Sequence, residues 1–306
     1  MSVGVVVMAY GTPASPADVE AYYTHIRRGR PPTPEQLAEL QARYDALGGT
    51  SPLAARTAAQ VDAIAAALEA THPGGFTVAL GQKHAAPFVE DGVAALAARG
   101  VERVVGVVLA PHYSGFSVGQ YHARAAAAAA EAGLDFAGVD RWFDLDAFVA
   151  HQAASLRDRL APLPRRTHVV FTAHSLPERV LADDPYPDQL AAGAGAIAAA
   201  AGLGPWADWG IAWQSAGRTP EPWRGPDILA VIADLAATGR SEGIVVVPHG
   251  FTADHLEVLY DLDIEAARAA EQVGLAFGRT DVVNADPAVM AALAGRVAEV
   301  AGAAAP

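Results

Sequence analysis

Short runs of β-branched residues recur along this chain and alternate with helix-forming segments. Six runs are strand-like: Val3–Met8, Phe76–Leu80, Val104–Leu109, Val169–Phe171, Gly210–Trp213 and Ile244–Val247. The segments between them are amphipathic or rich in alanine, the strongest helix former, and include Thr57–Glu69, Val89–Arg99, Tyr121–Glu131, Ala147–Leu160 and Pro226–Thr238. Strands that alternate with helices predict an α/β fold built on mostly parallel sheets.

Three sequence patterns occur twice in the same order. VVVMAYGTP (5–13) resembles VVFTAHSLP (169–177), LGQKHAAPF (80–88) resembles AWQSAGRTPEPW (212–223), and VVLAPHYSGFSVGQY (107–121) resembles VVVPHGFTADHLEVLY (245–260). Repetition in order predicts two similar α/β domains, with the division between Pro111 and Trp142. We place the N-terminal domain at residues 1–115 and the C-terminal domain at 116–306, with the option that the final helix packs back onto the first.

The composition excludes several classes of function. A formal net charge of −13 over 306 residues argues against binding to nucleic acid or to anionic membranes. The chain has no cysteine, which rules out disulfides, thiol nucleophiles and cysteine-ligated iron–sulfur clusters. It begins directly with a strand-like run, and its longest uncharged stretch is too weakly apolar for a membrane span. We therefore expect a cytoplasmic protein without stable membrane insertion.

Two of the strand-like runs stop abruptly at residues that carry chemistry. His174 follows one run in VVFTAHSLPE, and Glu257 follows another in VVVPHGFTADHLEVLYD. Residues just beyond the carboxyl ends of parallel strands are where open α/β sheets bind their ligands. An imidazole with a carboxylate suits a borderline divalent metal such as ferrous iron, and the same pair can accept protons. For His174 alone, a buried imidazole that donates to a backbone carbonyl is the alternative.

A second acidic pattern starts at Glu257. Glu257, Asp261 and Glu265 are spaced by four residues, so on a regular helix they form one acidic stripe. Such a stripe can relay hydrated cations or hold a second, regulatory divalent ion through carboxylates and water. A solvated helix face is the alternative interpretation for Asp261 and Glu265.

Eight segments resemble the ferrochelatase family, and specifically the short, soluble bacterial type that inserts ferrous iron into coproporphyrin III. In order they are MAYGTP, YYTHIRRGR, RYDALGGTSPL, APHYSGFSV, AHSLPE, DPYPDQL, WQSAGRTPEPWRGPD and HGFTADHLEVLYD, and they extend to about Asp261. The resemblance implies two Rossmann-like, chelatase-type domains with the porphyrin in the cleft between them. It also implies a lyase of haem biosynthesis that takes ferrous iron and coproporphyrin III as substrates and requires no cofactor.

The resemblance also implies roles for individual residues. His174 and Glu257 match the family positions that bind the entering metal and accept the pyrrole protons. Tyr10 matches the residue that approaches the macrocycle from the opposite side and ligates iron in the product. The positions that contact the porphyrin are Arg27, Arg43, Tyr44, Ser51 and Tyr121.

One of these positions bears on the choice of porphyrin. In relatives that use protoporphyrin, the first motif usually has Asn-Leu where this chain has Ala9 and Tyr10, so Tyr10 favours coproporphyrin. One departure from the family pattern is Gln82, where an apolar residue is common.

Basic residues are clustered in a chain that is otherwise acidic. Arginine binds carboxylates bidentately, and coproporphyrin carries four propionates; the cluster consists of Arg27, Arg28, Arg30 and Arg43. A helix that ends near Ile26–Gly29 is the alternative, and it fits Arg28 and Arg30 better than the other two. Lys83 and His84 are candidates for a propionate contact or an outer metal site, or for an ordinary surface position. For His112 we expect a structural hydrogen bond.

Three other functions are alternatives to a coproporphyrin III ferrochelatase. A protoporphyrin IX ferrochelatase would share the motifs, and a cobalt chelatase for sirohydrochlorin would use more imidazoles at the metal. A porphyrin carrier would need arginine and aromatic contacts but not a histidine–glutamate pair opposite a tyrosine. The sequence leaves transient contact with other haem-pathway enzymes open.

Overall fold

The computed structural model describes residues 2–204 and 209–303, and the chain divides into two α/β units. The first unit comprises the chain up to Ala110, Gly115–Trp142 and the residues from Asn284 onward. The second unit comprises Pro111–Ser114 and Phe143–Val283. Among the described residues, no helix is both long and apolar enough to cross a membrane.

Within residues 2–204 and 209–303, eight strands form two sheets of four, and every pairing within these sheets is parallel. The strands are β1 (Val3–Ala9), β2 (Phe76–Gln82), β3 (Arg103–Val108), β4 (Asp135–Val139), β5 (Thr167–His174), β6 (Trp209–Gln214), β7 (Gly243–Val247) and β8 (Ala276–Arg279). The strand orders are β2–β1–β3–β4 and β6–β5–β7–β8, which are the same topology. The predicted α/β fold and the predicted repeat are therefore confirmed, and β1 and β5 are equivalent central strands.

Helices connect the strands. They are α1 (Val19–Ile26), α2 (Pro34–Asp45), α3 (Leu53–Thr71), α4 (Val89–Ala97), α5 (Val118–Glu131), α6 (Asp146–Leu160), α7 (Tyr186–Ala200), α8 (Ile228–Thr238), α9 (Leu256–Tyr260), α10 (Ala267–Gln272) and α11 (Pro287–Val300). Short 3₁₀ turns occupy Pro16–Asp18 and Glu178–Val180, and a π-helix occupies Asp261–Ala266 between α9 and α10.

The two sheets are buried because helices cover their faces. All five residues of β7 are buried, and in β1 Val5, Val6 and Val7 are completely inaccessible to solvent. Continuous apolar runs of this kind are what a sheet buried on both faces requires. Gly92 lets α4 approach β2 closely, since a Cβ atom there would lie 2.6 Å from the Leu80 carbonyl oxygen. This contact places the end of β2 beside the start of α4.

The predicted domain boundary at residues 115/116 is wrong. β4 pairs with β3, with Val139 opposite Val107, so the chain as far as Trp142 belongs to the first unit. β4 was not predicted because it is a short edge strand, DFAGV, whose residues are mostly only partly buried. The edge strand β8 was missed for the same reason. The last helix, α11, packs against α3 of the first unit.

Candidate active site

His174 is the last residue of β5, and a local hydrogen bond fixes its ring. Its Nδ1 donates to the carbonyl oxygen of Ser175 at 2.5 Å, so Nε2 is the nitrogen left to face other groups. That Nε2 lies 3.6 Å from Oε1 of Glu257. The imidazole remains 37 % exposed, which leaves room for a ligand to reach it. The structure thus brings together His174 and Glu257, the two residues that their positions beyond strand-like runs had indicated.

Glu257 lies in the first turn of α9, between two imidazoles. Its Oε1 faces His174, and its Oε2 is 3.6 Å from Nε2 of His255. The His255 ring is oriented because its Nδ1 donates to the Ala253 carbonyl oxygen at 2.9 Å. The side chain of Gln214, at the end of β6, donates to the Glu257 backbone carbonyl at 3.0 Å. Two strand ends and one helix start therefore hold this carboxylate in place.

The electrostatics of His174 and Glu257 are coupled. Burial alone would lower the pKa of His174, but the carboxylate of Glu257 and the hydrogen bond to the Ser175 carbonyl act together with smaller contributions to raise that pKa above its ordinary value. Burial alone would raise the pKa of Glu257, but the imidazoles of His174 and His255 hold that pKa well below its usual range. At neutral pH in the absence of a ligand, the pair is therefore an imidazolium beside a carboxylate.

The predicted acidic stripe on a regular helix needs correction. α9 ends at Tyr260, and Asp261 to Ala266 form a π-helix, so the four-residue spacing does not run along one α-helix. Asp261 is only 6 % exposed, and its Oδ2 accepts a hydrogen bond of 2.5 Å from Ser215. Single turns of π-helix are frequent at functional sites. Glu265 is half-buried on the same π-helix, and the second cation site stays a prediction.

In the described part of the chain, no three or more histidine, aspartate or glutamate side chains are grouped so that they could hold a metal ion. The metal-binding roles of His174 and Glu257, and of Asp261 and Glu265, therefore stay predictions. His255 was not predicted as a neighbour of Glu257. Its position two residues before Glu257, at the start of α9, was the available signal.

The equivalent strand end in the first unit carries Tyr10. It follows β1 directly and is one of the few large hydrophobic residues that are exposed, at 44 %. Its ring packs on that of His84, which follows β2, with 4.6 Å between the ring centroids. Burial, Lys83 and His25 lower the pKa of His84 to about 3, so the imidazole is neutral at neutral pH.

Lys83 and Tyr121 lie close to each other beside this strand end. The Lys83 ammonium donates to the Gln120 side chain at 2.8 Å and lies 5.0 Å from the centre of the Tyr121 ring. Burial and the Arg124 guanidinium lower the pKa of Lys83 to about 8. Tyr121 is only 3 % exposed, and burial raises the pKa of its hydroxyl. Its predicted contact with a ligand stays a prediction.

The basic cluster lies around the end of α1 and on α2. Arg27 follows the last residue of α1, and its guanidinium lies over the Tyr23 ring at 5.5 Å from the centroid. Arg28 and Gly29 have positive φ angles of 57° and 81°, as expected where a helix terminates. Arg43 is half-buried in the last turn of α2.

Two predicted porphyrin contacts are largely enclosed by protein. Tyr44, at 3 % exposure, is a core residue of α2. Ser51 is buried, and its hydroxyl accepts a hydrogen bond from the Leu53 amide at 3.2 Å. Both residues thus have local structural contacts, and their ligand contacts stay predictions.

The two histidines of the repeated Pro-His pattern pack together in the second unit. The rings of His112 and His249 are buried and edge-to-face, with 5.2 Å between their centroids. His249 Nε2 donates to the Leu190 carbonyl oxygen at 3.1 Å. Neither ring nitrogen of His112 has a hydrogen-bond partner among the described residues, so the predicted hydrogen bond of His112 is wrong. Its ring is held by stacking on Phe143 instead.

The fold is that of the two-domain tetrapyrrole chelatases. SirB from Bacillus subtilis, solved with Fe³⁺, aligns over 98 % of this chain and 96 % of its own, with a TM-score of 0.59 and 13 % identity. CbiX, an enzyme of siroheme biosynthesis in denitrifying bacteria, aligns over 97 % of this chain and 98 % of its own, with a TM-score of 0.54 and 16 % identity. At these identities the likeness concerns the fold alone.

Within that class, the sequence identifies the family. Residues 2–301 match the sequence profile of the ferrochelatases, and the chain belongs to the ferrochelatase family. The coproporphyrin III ferrochelatase of Geobacillus kaustophilus is 44 % identical over 298 residues, which cover 95 % of this chain and 93 % of that protein. The coproporphyrin III ferrochelatase of Bacillus subtilis is 42 % identical, with 95 % of each chain covered.

Proposed function

We propose that this ferrochelatase inserts ferrous iron into coproporphyrin III and releases iron coproporphyrin III for haem synthesis. The observation that carries the proposal is the His174–Glu257 pair at the carboxyl end of β5, in a chain of this family. The porphyrin is suggested by relatives named coproporphyrin III ferrochelatases, which are similar to this chain over almost its whole length. Neither a nucleotide nor a redox cofactor is needed, because the reaction exchanges two protons for one metal ion.

The His174–Glu257 pair suits both halves of that exchange. Each insertion removes two pyrrole protons and replaces them with Fe²⁺, so the enzyme must attract a cation and accept protons at one place. The negative charge of Glu257 favours the cation, and its two oxygens face two different imidazoles. As the cation approaches, it disfavours the imidazolium form of His174. Nε2 of His174 then releases its proton to water and can accept the two pyrrole protons one after the other, passing each on to water.

Tyr10 and the arginines are assigned to the porphyrin rather than to proton transfer. The exposed Tyr10 can present its phenolic oxygen to iron, and phenolate is a known axial ligand of porphyrin iron. Arg27 and Arg43 are half-buried cations in a chain of net charge −13, and they are suited to bind the propionates of coproporphyrin.

Anaerobic turnover with purified protein tests this proposal. Ferrous iron is offered with coproporphyrin III, with protoporphyrin IX or with neither, and product formation is followed by absorbance. We expect fast iron insertion into coproporphyrin III and slow insertion into protoporphyrin IX. A preference for protoporphyrin IX would contradict the proposed substrate, and binding of coproporphyrin without insertion would favour a carrier. A parallel assay with cobalt and sirohydrochlorin tests the alternative that the protein is a sirohydrochlorin cobalt chelatase.

A further inference from the structure

Four aromatic rings from four separate segments of the first unit lie in a row that starts at Tyr10. His84 packs on Tyr10 at 4.6 Å between centroids, His25 packs edge-on against His84 at 5.2 Å, and Phe88 stacks on His25 at 5.3 Å. We call Tyr10, His84, His25 and Phe88 the ring row. They come from the end of β1, the end of β2, α1 and the residue before α4, respectively.

Hydrogen bonds fix the main chain of Tyr10 and connect the ring row internally. The Lys83 amide donates to the Ala9 carbonyl oxygen at 2.8 Å, and the His84 amide donates to the Tyr10 carbonyl oxygen at 2.9 Å. Nδ1 of His25 and Nδ1 of His84 are 3.0 Å apart, so one of them donates to the other. The backbone of Tyr10 is therefore anchored on both sides of its Cα atom, while its side chain remains 44 % exposed.

An exposed tyrosine ordinarily samples several rotamers, and ordering one of them costs conformational entropy. A neighbouring ring packed against the tyrosine reduces that cost before any ligand arrives, which is the general origin of preorganised affinity. His84 contacts Tyr10 through ring packing, with 4.6 Å between the centroids and 55° between the ring planes. His25 and Phe88 in turn restrict His84. The other three rings of the ring row thus support the Tyr10 ring, and Tyr10 is the exposed member at the end of the row.

We propose that His84, backed by His25, is a positioning residue that holds the Tyr10 ring ready to ligate the iron of the product. The inference rests on the proposed function, since it takes Tyr10 as the ligand. Positioning of Tyr10 should affect the two porphyrins differently. It should tighten binding of the metallated porphyrin, which has an iron to ligate, and leave binding of the metal-free porphyrin unchanged.

The test compares the dissociation constants of metal-free coproporphyrin III and of its ferric complex, measured by absorbance titration. An aromatic pair contributes enough for His84→Ala to weaken binding of the ferric complex about three- to tenfold. Binding of the metal-free porphyrin should not change. His84→Phe keeps a ring on Tyr10 and should restore most of the lost affinity. The matched control is His72→Ala, which removes an imidazole that packs edge-on against Phe76 in the same unit but outside the ring row.

A double-mutant cycle separates positioning from a direct contact. In a Tyr10→Phe background, His84→Ala should no longer change the affinity for the ferric complex, because no ligand oxygen remains to be positioned. Equal weakening of both porphyrins by His84→Ala would mean that His84 itself contacts the porphyrin and would overturn the inference. No weakening at all would overturn it as well.

Spectra of the ferric complex distinguish failure of this inference from failure of the proposed function. A phenolate-to-iron absorption band that Tyr10→Phe abolishes supports Tyr10 as ligand, whatever His84 does. If Tyr10→Phe leaves the spectrum unchanged, both the ligand assignment and the ring-row inference are wrong. Should His84→Ala fail to fold, as judged by thermal unfolding, the exposed His25→Ala provides the same comparison. It should produce a smaller loss with the same selectivity, and unchanged affinity for the ferric complex would contradict the inference.

Discussion

Imidazoles at the carboxyl ends of the strands in the two sheets have pKa values that shift in opposite directions. At the end of β5, the pKa of His174 is raised, and at the end of β2, beside the equivalent strand β1, the pKa of His84 is lowered to about 3. Burial acts in the same direction on both rings. The difference comes from their charged neighbours: His174 faces the carboxylate of Glu257, whereas His84 faces the cations of Lys83 and Arg124.

This difference shows how a duplicated topology acquires two functions. The strand order is the same in the two sheets, so each provides a strand end in the same place. The residues at those ends then decide the chemistry. In the second unit a carboxylate lies between two imidazoles, and in the first a row of aromatic rings packs against an exposed tyrosine. The following predictions test that division, from the largest expected effect to the smallest.

The largest effect is expected from His174→Ala. The variant lacks the imidazole that we assign to proton transfer, so iron insertion should slow by about 10²- to 10⁴-fold. Affinity for metal-free coproporphyrin III should remain near that of the wild type. Stopped-flow absorbance measures insertion, and titration measures affinity. His168→Ala, on the same strand but outside the pair, serves as the control and should insert iron at a near-normal rate. Near-normal insertion by His174→Ala would contradict the division of roles.

Glu257→Gln should move the titration of His174 and also slow insertion. Glutamine retains the shape of the side chain but not the charge that raises the pKa of His174, so that pKa should fall. NMR of the metal-free protein can follow the imidazole proton resonances against pH. In the wild type we expect the midpoint above the ordinary value of 6.5, and in Glu257→Gln at a lower pH. The same midpoint in both proteins would contradict the coupling.

The same coupling predicts how stability depends on pH. Because the pKa of His174 is raised in the folded protein, its stabilisation is fully present below pH 6.5 and is lost as the pH rises through the raised pKa. The pKa of Glu257 is lowered, so its stabilisation is present above pH 4.5 and is lost as the pH falls towards the lowered pKa. The difference in unfolding free energy between wild type and Glu257→Gln should therefore be largest at mildly acidic pH and shrink as conditions become alkaline. A difference independent of pH would argue against an ion pair.

Much of this arrangement was predictable from residues that are adjacent in sequence to a strand end. Tyr10 and His174 directly follow or end a buried β-branched run, and a parallel sheet places such residues at its ligand-binding edge. The neighbours of His84 that are distant in sequence were not predictable in this way. His25 and Arg124 lower the pKa of His84 from positions that only the folded chain brings close to it. The same holds for the π-helix at Asp261, since periodicity alone predicted a regular helix.

His255→Ala should have an intermediate effect. The Nε2 atom of His255 lies 3.6 Å from the second oxygen of Glu257 and orients that carboxylate, so the loss of His255 should let the carboxylate adopt orientations that bind the cation less well. Interactions with a charged group of this kind correspond to about a tenfold change. We expect the KM for ferrous iron to rise by that amount, with a smaller change in kcat. His255→Gln, which can still donate to the carboxylate, should recover part of the loss. A change in kcat alone would instead place His255 in the chemical step.

The smallest effect is expected from the arginines of the first unit, because they act on the porphyrin and are partly exposed to water. An exposed ion pair is worth about 1 kcal/mol, so Arg27→Ala or Arg43→Ala should weaken coproporphyrin III binding only about fivefold. The rate of insertion at saturating porphyrin should change little, since neither residue belongs to the His174–Glu257 pair.

The loss of affinity should disappear with the tetramethyl ester of the porphyrin, which has no carboxylate to bind, and should shrink at high salt. Arg30→Ala, which removes an exposed cation assigned to the helix end, provides the control. If Arg27→Ala weakens binding of the ester as much as it weakens binding of the free acid, the arginines do not recognise propionates. In that case the first unit would contribute to porphyrin binding through the Tyr10 ring row and not through charge.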